Sequence, residues 1–191
     1  NGAVLDCNGN TIDVASAKTR MGRTAIIVRS IQREDGTWDA PQDVVVRNCV
    51  IKGFMRVYGL DENANGPNMK ASSRHPDHTE FAQAAAPRRS TFENLTIIAP
   101  NGISLYVGPG STWTKLLNSR LEGETRGTAV YLDAESARSE IRGNIFHVET
   151  RSRELIAIDG STRNEIVGNT FYDPVNGGIF AYRNCGEGGV I

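Results

Sequence analysis

No apolar run in the 191 residues approaches the roughly 20 that a membrane-crossing helix requires, so a bilayer span is not expected. Neither sign of charge dominates: 21 basic and 22 acidic residues leave a formal charge of −1, which offers no electrostatic footprint for nucleic acid. Cysteine is scarce. Cys7, Cys49 and Cys185 make no even framework and contain no CxxC pair, so zinc is not indicated. Isolated buried thiols are the first expectation, with a Cys7–Cys49 disulfide as the alternative. Also missing are an initiator Met and a charged-then-apolar leader at Asn1, as in a mature or trimmed product. Long 3.6-period segments with caps are absent too, which leaves little room for extended helices.

What the chain does have is a repeated phrase. Ile141-Arg142-Gly143-Asn144-Ile145-Phe146 returns 25 residues later as Ile166-Val167-Gly168-Asn169-Thr170-Phe171, and Leu116-Leu117-Asn118-Ser119-Arg120-Leu121 stands 25 residues earlier. Short alternating apolar runs between Gly, Asn, Ser and Pro describe strands and turns, and a fixed period of this size describes a solenoid. One core column runs Val46, Phe92, Leu116, Ile141, Ile166 and a second runs Ile51, Ile97, Leu121, Phe146, Phe171. The 46 residues from Val46 to Phe92 leave space for one more coil, with Met69 in its first column. A third column is Val28, Val57, Phe81, Leu105, Leu132, Ile158, Ala181. Asn144, Asn169 and Ser119 occupy a structural corner, and loop insertions fall near 30–42 and 61–78 of a single domain spanning 1–191.

With Leu5-Asp6-Cys7-Asn8-Gly9-Asn10-Thr11-Ile12, Phe92-Glu93-Asn94-Leu95-Thr96-Ile97 and the two Gly-Asn-x-Phe coils, the chain resembles the right-handed parallel β-helix superfamily of pectate lyases, polygalacturonases, mannuronan epimerases and tailspikes. The resemblance covers nearly the whole chain. It implies an all-β, right-handed, single-stranded parallel β-helix of roughly seven coils of about 23–27 residues. It also implies an extracellular, periplasmic or envelope location. Ile191 stands where a further coil would begin, so C-terminal coils or a cap are expected from a continuation, a second chain or self-association.

Residues flanking the third column should point outward. They form a stripe containing Arg29, Arg56, Tyr58, Tyr106, Tyr131, Phe180 and Tyr182, suited to stacking on sugar rings and pairing with uronate carboxylates, or else to stabilising the sheet by cross-strand stacking. Asp133 and Asp159, one coil apart, are read either as an acid/base pair or as ligands for a cation, calcium in the lyases of this superfamily. Arg138 or Arg183 could instead neutralise them. Arg74-His75-Pro76-Asp77-His78-Thr79-Glu80 supplies His75, His78 and Glu80 as candidate proton-transfer residues, with Tyr106 or Tyr58 as the acid that completes the transfer, or else a polar surface loop, while His147 reads as a surface residue. The leading expectation is a protein that binds an extended acidic polysaccharide and cleaves or epimerises it. A non-catalytic glycan-binding adhesin or tailspike-like stalk is the alternative; no cofactor beyond calcium is implied.

Overall fold

A computed structural model describes residues 2–18 and 22–182. Arg183, Cys185 and Ile191, which entered the sequence reading, lie outside the described residues. Three parallel six-stranded sheets stack along the molecule, an all-β arrangement consistent with a parallel β-helix solenoid. The first sheet holds Val4–Asp6, Val45–Arg47, Thr91–Glu93, Lys115–Leu117, Glu140–Arg142 and Glu165–Val167. The second holds Thr11–Asp13, Val50–Lys52, Thr96–Pro100, Arg120–Thr125, Ile145–Thr150 and Thr170–Phe171. The third holds Thr24–Arg29, Phe54–Tyr58, Leu105–Val107, Val130–Leu132, Ile156–Asp159 and Ile179–Tyr182.

The first two apolar columns stack as the period predicts. Leu5, Val46, Phe92, Leu116, Ile141 and Ile166 are in register, as are Ile12, Ile51, Ile97, Leu121, Phe146 and Phe171. Most of these side chains are wholly buried in one continuous core, the dominant source of stability for such a stack. At the corner between the two sheets, Asn48, Asn94, Asn118, Gly143 and Gly168 all take positive φ, and only asparagine and glycine adopt that conformation cheaply. The neighbouring corner residues form a polar ladder. Ser119 N donates to Asn144 Oδ1 at 2.8 Å and Asn144 N donates to Asn169 Oδ1 at 2.9 Å. Asn144 Nδ2 and Asn169 Nδ2 reach the carbonyls of Leu116 and Ile141, so groups turned inward at the corner keep partners.

Two expectations need correction. No coil lies between Val46 and Phe92: Val45–Arg47 pairs directly with Thr91–Glu93, and residues 59–86 leave the stack as an excursion with two short helices, α1 (Pro67–Ser72) and α2 (His78–Ala84), before Arg88 rejoins the corner between Gln42 and Thr112. Met69 and Phe81 therefore sit on helices, not in the columns. The cysteine reading also changes, because Cys7 and Cys49 are disulfide-bonded and tie the first coil to the second.

The chain turns from the third sheet back to the first through residues 108–114, 133–139 and 160–164 in the later coils. In the first two coils the same corner carries the large insertions. One is the antiparallel hairpin of Ile31–Gln32 and Trp38–Asp39, the other the helical excursion. Gly110 permits the excursion to sit close, since a Cβ there would lie 2.3 Å from Ala82 O. Among the described residues, no helix is long and apolar enough to cross a membrane.

Candidate functional site

The outward face of the third sheet carries two columns. Ile27, Arg56, Tyr106, Tyr131, Ala157 and Phe180 stack in one, and Arg29 beside Tyr58 and Asp159 beside Tyr182 belong to the next. The expected third core column slips by two residues, because Val107, not Leu105, pairs with Val57 and Leu132. A slip of two keeps every side chain on its face, so Tyr106 still points outward but aligns with Arg56 and Tyr131. Its ring stacks on Tyr131 at 5.6 Å between centroids and meets Tyr58 edge-on at 6.1 Å. Three tyrosines thus form a continuous ladder across the middle of the sheet.

Each of two tyrosines reaches the aspartate of the following coil, one column over. Tyr106 donates its hydroxyl to Asp133 Oδ2, and Tyr131 donates to Asp159 Oδ2, both in short contacts. Asp133 is only 5% exposed because the excursion covers it, with Ala64 N donating to Oδ2 at 3.1 Å and Ala134 N to Oδ1 at 2.9 Å. Burial raises the Asp133 carboxyl above the usual range; the donors from Tyr106, Ala134 and Ala64 pull it back only in part, and Asp159 nearby pushes it further up. Burial first, and then the facing aspartate, raises the hydroxyls of Tyr106 and Tyr131 well above the ordinary phenol range. Arg138 does not neutralise the pair; its guanidinium lies over the Trp113 ring at 4.8 Å.

The Asp133 environment has a measurable pH signature. A carboxyl with a raised folded pKa adds stability at low pH, and that contribution is lost as pH rises through the folded value. The stability of the wild-type protein relative to Asp133→Asn should therefore fall from about pH 4, the ordinary carboxyl value, to pH 7. Urea midpoints of both proteins at the two pH values check this, since the difference cancels titrations the proteins share. An unchanged or opposite difference would show that burial does not dominate at Asp133.

Other candidates are placed less directly on the face. Arg56 Nη1 donates at 2.8 Å to both Met55 O and Ile103 O, with its guanidinium 4.7 Å from the centre of the Phe54 ring. Burial lowers its pKa, and the carbonyls rather than a bound carboxylate occupy that nitrogen. Arg29 is exposed and, among the described residues, makes no ion pair, so it is the better-placed cation of this face. Phe180 and Tyr182 are exposed in the last strand; the Tyr182 hydroxyl donates to Glu154 Oε2 at 2.8 Å, and Arg153 holds the same buried carboxylate.

The histidine-rich segment does not enter a strand. His78 and Glu80 lie on α2, Glu80 facing solvent and His78 buried between Ser72 and Glu135. His75 is exposed and lines a 370 Å³ cleft with Trp38, Asp77 and Phe81. Glu135 and Ser72, missed in the sequence, meet His78 across separations of 57 and 6 residues that no multiple of the coil period marks. Asp133 and Asp159 supply two carboxylates, each already holding a tyrosine hydroxyl, and no group of three or more His, Cys, Asp or Glu able to hold a metal occurs among the described residues. Compared with known proteins, the chain matches no family model, no curated protein and no solved structure, so its own geometry is what speaks for its chemistry.

Proposed function

We propose that the chain is a right-handed parallel β-helix of the pectate-lyase-like kind, acting outside the cytoplasm, that binds an extended acidic polysaccharide along its third sheet and hydrolyses it with Asp159 and Asp133. The observation that carries this is the diagonal pairing of Tyr106 with Asp133 and Tyr131 with Asp159 on adjacent coils of an aromatic face. Neighbouring strands are about 4.8 Å apart, and a saccharide laid across them meets a new side chain at each coil. Tyr131 and Phe180 offer ring faces for sugar C–H groups, and Arg29 meets a uronate carboxylate. The Cys7–Cys49 disulfide fits an oxidising compartment.

Two carboxyls in unequal environments divide the labour of glycoside hydrolysis. Asp133, raised by burial, holds a proton longer and serves as the acid, while the more open Asp159 serves as the carboxylate that attacks or activates water. Proton abstraction by tyrosine is less suited to this face, because raised hydroxyls are harder to ionise. His78, buried on α2 between Ser72 and Glu135, is not available on the sheet face as a base either.

Incubation with pectate, alginate and glycosaminoglycans distinguishes the chemistries. New reducing ends without ultraviolet absorbance from an unsaturated uronate support hydrolysis; unsaturated product would replace it with elimination. Binding without turnover is favoured by one observation, the near-complete covering of Asp133 and the internal pairing of both carboxylates. Measurable affinity with no product from any of these glycans would establish that second reading.

A further inference from the structure

The helical excursion holds an arrangement that the sheet face does not use. Ser72, the last residue of α1, places Oγ 2.9 Å from His78 Nδ1, and His78 Nε2 faces Glu135 Oε1 at 3.8 Å. These residues are 8%, 5% and 4% exposed, yet Ser72 forms part of the wall of the open 370 Å³ cleft between the hairpin and the helices. A buried nucleophile–imidazole–carboxylate series beside a cleft of ligand size is the geometry from which acyl transfer is built.

Glu135 stands out at its corner. It has φ of 60°, and the equivalent positions of the coils before and after, each two residues ahead of the Thr112–Ala137–Thr162 ladder, are Gly110 and Gly160, at φ 76° and 68°; Glu135 N donates to Gly160 O. A position that its neighbours fill with glycine is strained for glutamate, and here the strained residue also carries the carboxylate that faces His78. The carboxylate is held from its other side by Thr79, whose Oγ1 donates to Oε2 at 2.7 Å.

The same carboxylate selects the imidazole tautomer. A negative charge opposite Nε2 favours the proton there and leaves Nδ1 as an acceptor for the Ser72 hydroxyl. The other neighbour of Ser72 Oγ, Met69 O, lies 3.2 Å away, beyond the usual hydroxyl donor distance.

We propose that Ser72, His78 and Glu135 form a serine-hydrolase centre for short acyl esters of ring alcohols, O-acetylated sugars among them, bound in the cleft between Trp38 and Phe81. Ser72 Oγ attacks the ester carbonyl and its proton passes to His78 Nδ1. The bond to the alcohol oxygen breaks, and the alcohol leaves with that proton. Water then attacks the acyl-serine, giving its proton to Nδ1; the carboxylic acid departs as Ser72 Oγ takes the proton back. The sequence balances with water as its only co-reactant. Glu135 acts through His78 as a positioning residue, and the rings of Trp38 and Phe81 hold the alcohol portion. This centre is independent of the sheet-face reading.

The test treats the full chain with a fluorophosphonate probe, maps the adduct by peptide mass, and follows p-nitrophenyl acetate and acetylated xylose hydrolysis. The expected results are a label on Ser72, and a kcat lowered about a thousandfold in Ser72→Ala with polysaccharide cleavage unchanged. Glu135→Gln should lower kcat about a hundredfold with little change in KM, and should alter the pH–rate profile. Glu135→Gly should keep or raise the unfolding midpoint while losing ester turnover, which a purely structural glutamate would not do. An unlabelled Ser72 in the folded wild-type protein overturns the proposal, whatever the variants' folding. So does wild-type turnover in Ser72→Ala.

Discussion

Asp159→Asn is expected to lower glycosidic hydrolysis about a thousandfold while leaving the unfolding midpoint close to wild type. The substitution removes the negative charge but keeps an oxygen that accepts the Tyr131 hydroxyl, so the tyrosine ladder stays in place. Its effect is then confined to the step in which a carboxylate attacks or activates water. Asp133→Asn should also abolish turnover, but for a different reason: an amide has no acidic proton to deliver to the leaving oxygen. The pair can be separated with an activated aryl glycoside, whose leaving group needs little protonation. Such a substrate should recover rate in Asp133→Asn and not in Asp159→Asn. Reducing-end assays at saturating substrate check both, and undiminished turnover in Asp159→Asn would remove Asp159 from the chemistry.

Phe146→Ala is expected to destabilise the fold by about 4 kcal/mol. The ring is wholly buried in the second column and stacks on Phe171 at 5.0 Å between centroids. In a stack of parallel strands a cavity at one level cannot close without moving the coils on both sides, because their register is fixed by continuous backbone pairing with Leu121 and Phe171. Phe146→Leu should cost less, since most of the volume is kept. Chemical unfolding of both variants measures the difference; equal, small losses would show that the core at this level can collapse around the gap.

The parts of the fold readable from sequence are those that repeat. Ile141 and Ile166 occupy the same column in register, so the same residue type serves both, and the period follows. The third column slipped between Leu105 and Val107 because turn length varies before that strand, while strand alternation preserved the facing of Tyr106. The gap before Phe92 matched two periods by coincidence of length. Helices of six and seven residues leave almost no periodic trace, although Pro67 just inside the first of them is a start signal. The Cys7–Cys49 pair, an alternative in the sequence, follows from the register of Leu5 against Val46, which sets Cys7 and Cys49 on adjacent coils. The tyrosine–aspartate diagonals have separations of 27 and 28 residues, one coil plus a small step, and follow from the ruler once the register is correct. His78 with Glu135 does not, since a non-repeating excursion brings them together.

That excursion departs after Tyr58 and is back in the ladder by Arg88, yet the strands before and after it pair as though nothing intervened. The stack should therefore tolerate exchange of residues 59–86 as a cassette, because the cassette adds side chains above the corner while the coils beneath keep their pairing. A graft of different length would be judged by its fit to Trp38, Gly110, Asp133 and Glu135, the points at which the present segment rests on the scaffold.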